Sequence, residues 1–208
     1  MKIQIAFDML DLEKALTIAR SIQDYVDIFE VGTLLIYKHG DQSVKRFKDE
    51  FSHHTILADT KIVDRSKDVI ALFSQAGADW LTVMAGTGRN VIHTACTTAH
   101  ENGKKIMLDL IDASSLGQAA LEAKSLGVDA LIFHKPADED PQLTFLDRWD
   151  MVKGNTSLAV FISGPITREN VHEILSMNPD GIVLGKAVTE AENPLEEIQF
   201  FAQLIGSK

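Results

Sequence analysis

Of the chain's 208 residues 45% are apolar and 24% charged, enough to bury one substantial core without dividing into several domains. A formal net charge of -10 and a pI near 5.1 repel phosphate backbones and anionic membranes, so neither nucleic acid nor a membrane is an expected partner and any phosphate site must be built locally. Cys96 is the single cysteine and cannot form an internal disulfide; with no apolar run long enough for a signal h-region or a membrane span, this predicts a cytoplasmic protein.

The N-terminal run up to Asp8 predicts a first strand over 2–7. From there short β-branched or apolar runs alternate with amphipathic stretches whose apolar residues recur at three and four positions. In chain order the pattern predicts helix 12–22, strand 26–31, helix 44–50, strand 55–58, helix 67–76, strand 80–84, helix 91–101, strand 105–110, helix 116–126, strands 130–134 and 158–162, helix 168–177, strand 182–184 and helix 194–204. Ser115 with Gln118 reads as a capping box, and Asn193-Pro194 as an N-cap followed by proline at the first helical position. Ala76-Gly77-Ala78-Asp79, Leu126-Gly127-Val128-Asp129 and Asn178-Pro179-Asp180-Gly181 each stop a helix before a strand and would line the bottom of a barrel. Alternation of this kind predicts a parallel sheet, and its eight strands predict one (β/α)8 TIM barrel over residues 1–208. A doubly wound open sheet is the competing architecture, but eight strands exceed its usual size and no Gly-rich fingerprint follows the first strand.

In such a barrel the chemistry sits at the C-terminal ends of the strands. Here those ends are polar: Asp8, Glu30, Asp59 with Lys61, Asp109, His134, Ser163-Gly164 and Gly185-Lys186. Asp59 and Lys61 stand two apart in an extended segment, so both are expected to face the barrel interior, with Asp64 following in the loop. An ammonium between carboxylates keeps its proton and can hold a developing oxyanion, which suits chemistry through an enediolate. Glu30 and Asp59 on neighbouring strands suit Mg²⁺, which takes one or two carboxylates plus substrate oxygens and water. His134, before a Lys135-Pro136 turn, is a candidate proton shuttle. Gly164 and Gly185, helped by the charge of Lys186, stand where barrels commonly hold a phosphate. His93, Cys96 and His100 share a helix face without a further ligand and read as packing residues, as does the loop pair His53-His54.

Asp8 in Ala6-Phe7-Asp8, Glu-Val-Gly-Thr at 30–33, Asp-Thr-Lys-Ile-Val-Asp at 59–64 and Ala-Gly-Ala-Asp-x-x-Thr-Val at 76–83 resemble the orotidine 5′-monophosphate decarboxylase superfamily of ribulose-phosphate-binding barrels. Within it the chain most resembles the branch of 3-hexulose-6-phosphate synthase and 3-keto-L-gulonate-6-phosphate decarboxylase. The resemblance implies Mg²⁺ on Glu30 and Asp59, Lys61 contacting an enediolate, and His134 transferring a proton. It further implies phosphate on Gly164 and Gly185, and a homodimer in which Asp64 reaches the partner's site. The implied substrate is a phosphorylated ketose or keto sugar acid. Asp109 stands where the synthase carries Asp and the decarboxylase usually Glu, and Ala137 where the decarboxylase has Arg; both favour a Mg²⁺-dependent aldolase joining ribulose 5-phosphate to formaldehyde. The alternatives are the decarboxylase activity and a non-catalytic sugar-phosphate-binding protein. That last reading is motivated by three departures from the branch pattern: Arg65-Ser66 after Asp64, Lys135-Pro136 after His134, and Pro165, which removes an N–H donor.

Overall fold

A computed structural model describes residues 1–134 and 144–206. Eight parallel strands, each hydrogen-bonded to the next and β8 to β1, close into a barrel. They are β1 (Lys2–Phe7), β2 (Ile28–Val31), β3 (Thr55–Ile62), β4 (Trp80–Met84), β5 (Lys105–Asp109), β6 (Ala130–His134), β7 (Ala159–Ser163) and β8 (Gly181–Leu184). Around them run α1 (Leu12–Ile22), α2 (Thr33–His39), α3 (Asp41–Glu50), α4 (Ser66–Gln75), α5 (Arg89–Glu101), α6 (Leu116–Ala123), α7 (Phe145–Lys153), α8 (Val171–Ser176), α9 (Lys186–Thr189) and α10 (Pro194–Leu204). None of the helices described is long and apolar enough to cross a membrane.

Strand alternation builds two cores. Outward residues such as Ile3, Ile5, Phe29, Ile56, Leu81, Leu108, Leu131 and Ile182 pack under the helices as one continuous layer. The inward residues Ile28, Leu57, Met107, Ala130, Ile132, Phe161 and Val183 fill the barrel itself, so it is a packed core and not a pore. A fully buried Leu, Ile or Phe contributes roughly 1.5–3 kcal/mol. Phe161 needs its neighbour on β8 to be glycine, because a Cβ on Gly181 would lie 2.4 Å from the Phe161 ring.

At the bottom of the barrel one device recurs four times. Asp27, Asp79, Asp129 and Asp180, each next to or just before an even-numbered strand, accept the backbone N–H of Ile3, Ile56, Ile106 and Val160 at 2.8, 2.9, 2.8 and 2.9 Å. Each returns its own N–H to the same residue's carbonyl. Lys48, His100 and Lys153 then pair with Asp79, Asp129 and Asp180 at 2.8, 3.0 and 2.5 Å. The Ala-Asp, Val-Asp and Pro-Asp stops of the sequence are thus strand clamps.

Several expected boundaries shift. Gln118 reaches forward to Glu122 instead of folding back, so Ser115 makes no side-chain cap, and α6 ends at Ala123. Asn193 caps α10 as expected, accepting the Glu196 N–H. Helices α2, α7 and α9 were not anticipated; α7 opens on a capping box between Thr144 and Asp147. The segment before α8 stays irregular to Asn170 rather than becoming helical at 168.

Candidate active site

Two positions beyond the apolar plug the inward residues turn polar: Ile28 is followed by Glu30, Leu57 by Asp59, Trp80 by Thr82, Met107 by Asp109, Ile132 by His134 and Phe161 by Ser163. A period of two carries both sets on the same face of each strand. Above them opens a cavity of about 540 Å³ lined by Asp8, Glu30, Asp59, Lys61, His134, Ser163, Gly164, Gly185 and Lys186 together with Thr167 and Thr189.

At its floor Lys61 Nζ lies 2.8 Å from Asp109 Oδ2 and 3.3 Å from Asp59 Oδ1. Lys61 is not reached by regular strand alternation. Its φ is +44°, in the left-handed region, and β3 bulges against β4 there. Such a conformation costs a non-glycine residue roughly 1–3 kcal/mol and persists only where neighbours enforce it. Burial works against the Lys61 ammonium, but the charges of Asp59 and Asp109 outweigh it and raise its pKa above the ordinary lysine value.

Asp109 is buried, which alone would raise its pKa; contact with His134 and then Lys61 overcomes this and holds it at about 2. His134 Nε2 approaches Asp109 Oδ1 to 2.7 Å, yet its N–H is not aimed at that oxygen in an aligned hydrogen bond. The His134 side chain also lines the cavity. Glu30 is the opposite case: burial, then the charge of Asp59, push its pKa up to about 8 despite a 2.6 Å hydrogen bond from Gln4 Nε2. Gln4 is itself buried inside the barrel, and its Oε1 has no hydrogen-bond partner among the described residues.

Asp59 is held from both sides. Thr33 Oγ1 donates to Oδ2 at 2.5 Å and Thr82 Oγ1 to Oδ1 at 2.9 Å. Thr33 comes with Gly32, where a Cβ would stand 2.7 Å from the Phe7 carbonyl oxygen, so Glu-Val-Gly-Thr needs its glycine to pass β1. Asp8 accepts the Leu34 N–H at 3.1 Å and serves the start of α2, whose own N-cap is that glycine.

On the far wall, Pro165 has no N–H, the Ile166 N–H donates to Gly164 O at 2.8 Å, and the Thr167 N–H donates to Asn170 Oδ1 at 2.9 Å. Three successive positions after β7 therefore present no free backbone donor. After β8 the Val188 and Thr189 N–H groups both donate to Gly185 O at 3.0 Å. This wall also carries the ammonium of Lys186, 83% exposed at the side chain and paired with Glu190 at 3.8 Å.

The structure thus gathers every predicted site residue except Asp64. The cluster expected around Asp59, Lys61 and Asp64 contains the first two; at Arg65 the chain turns with φ +52°, and Asp64 is exposed on a separate shallow pocket with Arg65, Asn90 and Thr94. Lys135, Pro136 and Ala137 lie outside the described residues. Thr82, Thr33 and Gln4 are the site-supporting residues that sequence reasoning did not single out for a role.

The chain matches the orotidine 5′-phosphate decarboxylase / HUMPS family over residues 1–201. It belongs to that family. A Staphylococcus aureus (strain bovine RF122 / ET3-1) relative named 3-hexulose-6-phosphate synthase is 32% identical over 200 residues, covering 94% of each chain. The crystal structure of 3-hexulose-6-phosphate synthase from Salmonella typhimurium superimposes with a TM-score of 0.90 at 30% identity, covering 99% of this chain and 98% of that one. The 3-keto-L-gulonate-6-phosphate decarboxylase of Vibrio cholerae O1 biovar El Tor gives a TM-score of 0.82 at 26% identity, with 96% and 98% covered. Both named activities of that branch of the family are therefore represented among the similar proteins, on one barrel.

Proposed function

We propose that this member of the family is a Mg²⁺-dependent carbon–carbon lyase of the 3-hexulose-6-phosphate synthase kind, an aldolase joining ribulose 5-phosphate and formaldehyde. The observation that carries the reading is the Lys61 ammonium, fixed between Asp59 and Asp109 at the floor of a cavity whose opposite wall carries Lys186. A phosphorylated ketose would place its phosphate at the Gly164, Gly185 and Lys186 wall and its carbonyl end over Lys61 and His134. With no free backbone donor at positions 165–167, the grip on phosphate falls to Gly164, the β8 turn and Lys186.

Glu30 and Asp59 fit a hard cation: both are buried carboxylates in the same cavity, and burial together with the charge of Asp59 pushes Glu30 toward its neutral form despite the nearby Lys61 ammonium. Among the described residues no set of three or more His, Cys, Asp or Glu side chains converges as a complete cage, which leaves the remaining positions to substrate oxygens and water. Bound there, Mg²⁺ would supply Lewis-acid stabilisation of negative charge on the substrate oxygens. Lys61 donates to the enediolate oxygen as charge develops, Asp109 keeps Lys61 charged and His134 in place, and His134 moves the proton. Asp64, exposed and outside the lining of its own cavity, is assigned to the partner's site in a homodimer.

The test is a paired assay, with Mg²⁺ and with EDTA, of ribulose 5-phosphate plus formaldehyde and of 3-keto-L-gulonate 6-phosphate. Metal-dependent formaldehyde consumption is the expected result. Release of CO₂ in the second arm would assign the decarboxylase activity instead, and silence in both would leave a sugar-phosphate-binding protein without turnover.

A further inference from the structure

Across the ladder between β3 and β4, Ala58 pairs with Leu81 and Ile62 with Val83, so Asp59, Thr60 and Lys61 all stand opposite Thr82 alone. A bulge of this kind strips backbone groups of their ladder partners and re-aims the side chains it carries. Thr82 answers for all three residues. Its Oγ1 accepts the Lys61 N–H at 2.9 Å, its carbonyl accepts the Thr60 hydroxyl at 2.9 Å, and its own hydroxyl donates to Asp59 Oδ1 at 2.9 Å. The side chain is 0% exposed, so water cannot substitute for it. Since the Lys61 N–H already occupies a lone pair of Oγ1, the single hydroxyl proton is left for Asp59. One buried hydroxyl therefore sets the orientation of the carboxylate and the left-handed backbone of the lysine that leans on it.

The geometry points to Thr82 as the positioning residue of the Asp59–Lys61 pair, the group that holds the β3 bulge in the conformation from which the Lys61 ammonium reaches Asp109. This rests on Lys61 acting in the reaction proposed above. Valine at 82 fills the same volume but leaves the Lys61 N–H buried without an acceptor, whereas serine keeps both hydrogen bonds of the hydroxyl. The experiment compares wild type, Thr82→Val and Thr82→Ser in kcat and KM with Mg²⁺, in Mn²⁺ affinity by electron paramagnetic resonance, and in hydrogen exchange of the Lys61 amide. Thr82→Val is expected to lose roughly 100-fold in kcat, the scale of a displaced reactive group, with KM nearly unchanged. The same variant should show weaker Mn²⁺ binding and a faster-exchanging Lys61 amide, and Thr82→Ser should recover most of all three. Should Thr82→Val not unfold cooperatively, Thr82→Ala takes its place with the same expected ranking. A valine variant that keeps both kcat and Lys61 amide protection overturns the assignment, as does a serine variant as poor as valine, which would mark Thr82 as packing only. If wild type turns over neither substrate, the proposed reaction falls, and the positioning role is decided by the other two readouts: the wild type, serine, valine ranking supports it and equal values overturn it.

Discussion

The two ends of this barrel use the same chemical group in opposite ways. At the bottom, each of Asp27, Asp79, Asp129 and Asp180 has its own backbone donor, and three have their own basic partner. Asp180 shows the result: burial would raise its pKa, but the Lys153 contact and the Val160 N–H bring it below the ordinary carboxylate value. At the top, Glu30, Asp59 and Asp109 are buried together around one ammonium, and Glu30 is driven to about 8. Carboxylates satisfied singly stabilise a fold; carboxylates crowded around a shared cation are held at a cost that a ligand can relieve. Stability thus belongs to one end of the barrel and chemistry to the other, as the architecture of such barrels leads one to expect.

Breaking the top at its shared cation should have the largest effect. Lys61→Ala is expected to cut turnover by roughly 10³-fold, the upper range for losing one donor to a developing oxyanion, while circular dichroism shows the fold retained. Turnover within a few-fold of wild type would remove Lys61 from the chemistry.

Glu30 separates the two ends through pH. Its pKa is raised from 4.5 in the unfolded chain to about 8 in the fold, so the metal-free protein is most stable below the lower value and loses stability as pH rises between the two. Urea midpoints across that window should fall for wild type and stay level for Glu30→Gln. Because Mg²⁺ needs the ionised carboxylate, its affinity should rise with pH up to about 8, and binding below that should release a proton, measurable by calorimetry in buffers of different ionisation heat.

The bottom should respond in the other coin. Asp79→Ala leaves the Ile56 N–H without its carboxylate and Lys48 without its acidic partner, which should cost ~1–3 kcal/mol in denaturant unfolding with kcat unchanged. A change in kcat without a change in stability would contradict the division between the ends. Smallest of all, Arg46→Ala removes an exposed pair with Glu13 on the barrel's flank and should move stability by less than about 0.5 kcal/mol.

Much of this division can be read along the chain, because strand alternation fixes which residues face inward and the last inward position of most strands is a charged or hydroxyl-bearing residue. Asp8, Glu30, Asp59, Asp109, His134 and Ser163 were visible for that reason. Thr82 and Thr33 were not, since threonine in or beside a strand is ordinary β propensity until a neighbour's carboxylate is placed against it. Gln4 hides one layer below the mouth, where only the closed barrel brings it to Glu30. The expectation that Asp59 and Lys61 share a face holds, but by a bulge rather than by alternation, and register against β4 is a property of two strands that neither sequence states alone. Helix α7 was passed over although Thr144 and Asp147 form its capping box, a box closed by Asp in place of the more familiar Glu or Gln.

The measurement that bears most directly on the chemistry of the top is proton exchange at C1 of ribulose 5-phosphate in deuterated water, followed by NMR without any aldehyde present. Wild type is expected to exchange these protons with Mg²⁺, and neither wild type with EDTA nor Lys61→Ala is expected to do so. A protein that binds the sugar phosphate yet leaves its C1 protons unexchanged in the presence of Mg²⁺ would contradict it, and would make the crowded carboxylates of the barrel mouth a binding site only.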